Sequence, residues 1–202
     1  MFTIVLQVLS LLVFLITSAL LGAWLRRHPG KKSAEGASRI LHFVFFVAVF
    51  PPVGLGFFYP GLTQFDRELG LGSLPRHPLV TMVGLLGFLV GMYLFMAANV
   101  ALRRLGQGAN AFRLTKRVVV GDIYERTRNP MSLGFYLWAA GGGLFVRSTY
   151  LTLLTLLIAI PVHVFYLKYF EEYELELRLG ESYLEYKRRV PFLLPRLRSR
   201  KG

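Results

Sequence analysis

At 202 residues, 54% of them hydrophobic, and with a mean hydropathy of +0.49, the chain is too apolar for an ordinary soluble domain of its size. Its net charge of +13 comes without an aromatic-interleaved basic motif, which excludes a nucleic-acid binder. Cysteine is absent, which excludes a disulfide framework, a zinc–thiolate site and a cysteine nucleophile together.

A membrane helix needs about 20 mostly apolar residues. Met1 to Leu25 meets that length, and so do Ile40 to Tyr59 and Leu79 to Leu102. The first run is not a cleaved signal peptide: it lacks a basic leading region, its apolar stretch is too long, and its positive charges follow it. It reads as a retained anchor. Ser132 to Val146 is short for a full span, whereas Tyr150 to Phe170 is long enough, and only Arg147-Ser148-Thr149 separates the two. They form a tight helical hairpin. The pattern predicts an all-α integral membrane protein of about five transmembrane helices, with a C-terminal helical hairpin and a cytoplasmic amphipathic helix. With no repeat or low-complexity linker, residues 1–202 read as a single membrane domain, in which 1–78 hold two generic helices and an external loop.

The charges are placed unevenly. Arg26, Arg27, Lys31, Lys32 and Arg39 follow the first run, and a basic stretch from Arg103 to Arg128 follows the third. Another, from Arg178 to Lys201, follows the fifth. The opposite loops carry only Arg67, Arg76 and Arg147. By the positive-inside rule the N-terminus lies outside and the C-terminus in the cytoplasm. Anionic lipid headgroups are the expected partners of the basic face. His28, His42, His77 and His163 are scattered without ligand spacing, so no metal site is expected and they read as interfacial or packed.

The external loop Pro60 to Pro78 is turn-rich, and nothing in it suggests chemistry. The loop after the third run is different. Gly106-Gln107-Gly108 would let a ligand approach the backbone closely, or would simply end the helix. Asn129-Pro130 is a favoured N-cap and first-turn pair, so a helix begins there with Arg128 beside its amide end. Gly141-Gly142-Gly143 reads as helix packing. After the fifth run comes the acidic cluster Glu171, Glu172, Glu174, Glu176, Glu181 and Glu185. Glu172, Leu175, Leu179 and Tyr183 recur at helical spacing, as an amphipathic helix would. Val190-Pro191-Phe192-Leu193-Leu194-Pro195 closes it in the interface.

Together, Tyr124, Arg128-Asn129-Pro130-Met131-Ser132-Leu133-Gly134, Glu171-Glu172, Gly180-Glu181-Ser182-Tyr183-Leu184-Glu185-Tyr186 and Val190-Pro191 resemble the C-terminal pattern of a methyltransferase family. It is the isoprenylcysteine carboxyl methyltransferase and phospholipid N-methyltransferase family of integral-membrane enzymes. The resemblance covers roughly residues 100 to 195, so 79–202 form the methyltransferase-like part. Two positions depart from the pattern. Ser132 stands in place of the usual tyrosine, and Asp122-Ile123 in place of the common Gly-Pro.

The resemblance implies methyl transfer from S-adenosylmethionine to a lipid, prenylated or other hydrophobic acceptor drawn from the bilayer. It implies a cofactor site lined by Gly106, Gly108, Tyr124, Asn129, Pro130, Gly134, Glu171 and Glu172. Arg128, Glu171 and Glu172 are the implied catalytic residues: Arg128 orients the acceptor or the cofactor carboxylate, and the acidic pair meets its positive charges or takes a proton. The acceptor is an amine of the phosphatidylethanolamine type or a carboxylate of the isoprenylcysteine type. Two other readings remain: an NADPH-dependent membrane sterol or double-bond reductase, and a non-catalytic lipid-binding scaffold.

Overall fold

The computed structural model describes residues 1–58, 61–106 and 114–195; Gly108, one of the expected cofactor-lining residues, lies outside them. Among the described residues the chain is all helical, without a strand. Four helical stretches are long and apolar enough to cross a membrane: Phe2–Arg27, Lys31–Leu55, Pro78–Leu105 and Thr149–Leu179. A further helix, Pro130–Phe145, has 16 residues and forms the first arm of the C-terminal hairpin.

Helix α1 is Phe2–Arg27. Helix α2, Lys31–Val44, starts nine residues before the apolar run does. Ala34, Ala37, Ser38 and Leu41 form a narrow stripe at helical spacing that is buried in the bundle, while Lys31, Lys32 and Arg39 stay exposed. Small side chains let a charged helix bury one face. A π turn over Phe45–Val49 then leads into α3, Phe50–Phe58. Pro51 and Pro52 follow that turn, and a proline ring clashes with the carbonyl four residues back, which a widened turn relieves. A short helix, α4, spans Gln64–Glu68.

Helix α5 is Pro78–Leu105 and α6 is Pro130–Phe145. They pack antiparallel along glycines. A Cβ built on Gly91 would lie 2.2 Å from the Trp138 amide nitrogen, and one on Gly141 2.3 Å from that of Phe88. Gly84 and Gly134 meet the partner backbone at 2.5 Å in the same way. The two backbones therefore touch, as small residues allow in membranes. Gly143 faces Thr152 across the hairpin, so the packing role expected of the glycine triplet holds for Gly141 and Gly143.

The last helical stretch runs continuously as α7 (Thr149–Leu153), a π turn over Leu154–Ala159, α8 (Ile160–Tyr166), a second π turn over Leu167–Glu171, and α9 (Glu172–Leu179). Gly180, at φ 64°, breaks it, and α10 follows over Glu181–Arg189. The expected amphipathic helix through Glu172 and Tyr183 is thus two helices: its first half extends the membrane helix and its second turns away. Phe14, Leu25, Leu41, Leu167 and Phe170 form the main core between α1, α2 and this last stretch.

Candidate functional site at the Arg128 end of the bundle

Asn129 and Pro130 occupy the N-cap and first position of α6, as their residue types dictate. The Asn129 side chain, however, does not cap. Its Nδ2 donates to the Phe192 carbonyl at 2.9 Å, and Thr127 Oγ1 donates to the Leu193 carbonyl at 2.8 Å. The Arg128 amide donates to the Pro191 carbonyl at 2.9 Å. Three consecutive residues therefore strap the C-terminal segment across the start of α6.

Arg128 itself is buried, with 8% of its side chain exposed. Its Nη1 donates to the carbonyls of Lys187 at 2.6 Å and Val190 at 2.9 Å, and its Nη2 pairs with Glu172 Oε1. Lys187 Nζ reaches the other Glu172 oxygen at 3.0 Å and Glu176 at 2.8 Å. Burial works against the Lys187 charge, but its hydrogen bonds to Glu176 and Glu172 outweigh it and hold the pKa above the usual lysine range. Glu174 is likewise neutralised, by Arg178 at 2.6 Å.

Glu171 is different. Among the described residues no cation forms an ion pair with it, and its one hydrogen bond comes from the Tyr166 hydroxyl at 3.5 Å. Arg128 Nε is its counterpart, a buried donor with no partner among the described residues. Buried polar groups are nearly always satisfied, so each exception asks for a reason. One end of the bundle thus holds, among the described residues, a glutamate without an ion pair and an orphaned guanidinium donor.

The remaining expected residues are spread around this cluster. Tyr124 is buried, and its carbonyl accepts from the Tyr186 hydroxyl at 2.7 Å. Burial first, and then the Glu171 charge, raises its phenol well above the ordinary range, so it stays neutral. Pro130 is fully buried at the corner. Gly106 closes α5, its amide bonding the Leu102 carbonyl at 2.8 Å. Gly134 turns its Cα toward Gly91 and Phe95 of α5, where it serves helix contact.

Two residues carried no signal in the sequence. Tyr136 and His163 are 27 positions apart, yet the tyrosine hydroxyl meets His163 Nδ1 at 2.7 Å between α6 and α8. Only the tertiary fold brings them together. The polar face of α1 was equally hidden: Gln7 accepts from the Tyr150 hydroxyl at 2.7 Å and donates to the Pro52 carbonyl at 3.2 Å.

A sequence model described as phospholipid methyltransferase matches residues 79–181, just over half of the chain. The chain belongs to this family. No curated protein and no solved structure matches it. The phospholipid methyltransferase match holds Arg128, Glu171 and Glu172 but ends before the Lys187–Leu193 segment that clasps Arg128. The departure at Asp122 also acquires a local meaning in this family member. Its φ of 51° lies in the left-handed region that glycine tolerates best, so aspartate there carries strain.

Proposed function

We propose that this membrane protein transfers a methyl group from S-adenosylmethionine to the headgroup amine of a phospholipid, at the end of the bundle that holds Arg128 and Glu171. The observation that carries the reading is that one end of the bundle holds both an orphaned buried donor, Arg128 Nε, and a buried glutamate, Glu171, that makes no ion pair among the described residues. S-adenosylmethionine has a carboxylate for the first and positive charge for the second, so the residues present fit it. When bound, it supplies an activated methyl group on a sulfonium.

The chain's own residues divide the remaining work. Arg128 Nε binds a carboxylate while its other nitrogens stay fixed to Glu172, Lys187 and Val190, so the donor is held ready without reorganisation. The strap over Thr127 and Asn129 covers this corner and excludes water from it. Glu171 takes the proton that an ammonium headgroup must lose before its nitrogen can attack. Glu172 has a different duty: paired with both Arg128 and Lys187, it positions the arginine. The basic ends of α1, α5 and α10 lie at this same end, which supports a cytoplasmic site and an external N-terminus. The family-matched segment and the helices it needs share one bundle with residues 1–78, which supports a single membrane domain.

Titration calorimetry of the detergent-purified protein with S-adenosylmethionine and S-adenosylhomocysteine, with NADPH as control, tests this reading. Micromolar binding of the sulfur ligands is the expected result. NADPH binding alone would point to a reductase, and binding of neither to a lipid-binding scaffold.

A further inference from the structure

The opposite end of the bundle holds a second concentration of unused charge. A shallow, open cleft of about 550 Å³ lies where the loop before α5 meets the α6–α7 turn, and Arg76 and Arg147 line it together with Thr81, Met82 and Leu85. The loop is fixed beside the turn by the Leu74 amide, which bonds the Arg147 carbonyl at 3.1 Å, and by Thr149 Oγ1, which bonds the Gly72 carbonyl at 2.6 Å. The two arginines thus come from separate loops onto one cleft.

Neither guanidinium has an ion pair or hydrogen bond among the described residues. The carboxylates at this end are occupied. Asp66 accepts from Ser148 Oγ at 3.3 Å and from the Thr149 and Tyr150 amides at 3.0 and 2.7 Å, capping α7, while Glu68 pairs with the N-terminal ammonium of Met1. Arg147 is also strained. It closes α6 at φ 58°, with its amide bonded to the Leu144 carbonyl and that of Ser148 to the Gly143 carbonyl, a position that favours glycine. Among the described residues its side chain makes no hydrogen bond or ion pair that would offset the strain of an arginine there.

We propose that this cleft binds one anionic phospholipid, with the phosphodiester held between Arg76 and Arg147 and an acyl chain lying along Met82 and Leu85. Charge complementarity selects the occupant: guanidinium geometry suits the phosphodiester oxygens, and two arginines with no carboxylate partner among the described residues favour a headgroup that brings no cation of its own, as a choline would. The apolar wall continues directly from them, and Met82 and Leu85 are exposed on the outer surface of α5. The inference is independent of methyl transfer, because every residue in it lies at the far end of α6 from Arg128.

The test is lipid retention by native mass spectrometry after release from vesicles of phosphatidylcholine and phosphatidylglycerol. The unaltered protein is expected to keep one phosphatidylglycerol about tenfold more often than one phosphatidylcholine. The R76Q/R147Q variant should lose that preference, and R67Q, at the same end but outside the cleft, should keep it. The R147G variant separates binding from folding: it should raise the melting temperature in detergent yet lower retention. Equal retention by R76Q/R147Q would overturn the proposal, and so would equal loss by R67Q. Displacement of the lipid by inorganic phosphate alone would also overturn it, because the site would then read a free anion.

Discussion

Glu171 and Glu172 are neighbours in unlike surroundings, one without an ion pair and the other held by Arg128 and Lys187, and substitution separates the duties proposed for them. The E172Q variant leaves Arg128 buried without its counter-charge, a loss of about 3–5 kcal/mol for a buried pair. Its melting temperature in detergent should fall sharply. E171Q removes a carboxylate that no cation holds, so melting should hold steady while methyl transfer drops at least about 100-fold. A fall in melting for E171Q equal to that of E172Q would show both to be structural. A second residue-scale test concerns Asp122: D122G removes left-handed strain and should raise stability by about 1 kcal/mol in thermal unfolding. The sequence marked Arg128 and the acidic pair by their residue types beside apolar runs. It could not say which glutamate is spent on Arg128, because that depends on how the turn Leu167–Glu171 rotates the helix end. Nor could spacing reveal that Asn129 gives its side chain to Phe192 instead of to its own helix.

The contact between α5 and α6 is the element on which the first arm of the hairpin depends. Replacing Gly91 with alanine drives a methyl group to 2.2 Å from the Trp138 amide, and backbone cannot step aside cheaply. G91A should lose about 1–3 kcal/mol in thermal unfolding, whereas G36A should gain about 1, because Gly36 lies on an exposed face of α2 with open space around it. Equal behaviour of the two would remove the glycine contact as a source of stability. Helix existence was legible here, since long apolar runs announce themselves. Helix ends were less so. The small-residue stripe of Ala34, Ala37 and Leu41 extends α2 beyond its apolar run, and Gly180 splits what periodicity joins. Two of the three π turns sit beside prolines, while Leu167–Glu171 has no such marker.

At the scale of the whole molecule, the ends of the bundle differ in charge and in chemistry. The basic helix ends surround Arg128 and Glu171, and the far end carries only a few charges, of which Asp66 and Glu68 are engaged while Arg76 and Arg147 are unpaired among the described residues. A chain without cysteine makes sidedness directly measurable. A single S73C should react with a membrane-impermeant maleimide added to intact cells, and S182C should react only after permeabilisation. The reverse pattern would invert the topology. Family membership rests on residues 79–181, and the remaining helices complete the bundle around them.

The most direct test of the account follows a labelled methyl group. The purified protein is placed in vesicles containing phosphatidylethanolamine, supplied with methyl-labelled S-adenosylmethionine, and the lipid is extracted. Label is expected in N-methylated phosphatidylethanolamine, formed by the unaltered protein and lost in E171Q. Binding of S-adenosylmethionine with no label reaching that lipid would contradict the phospholipid amine as acceptor, and no binding at all would contradict methyl transfer itself.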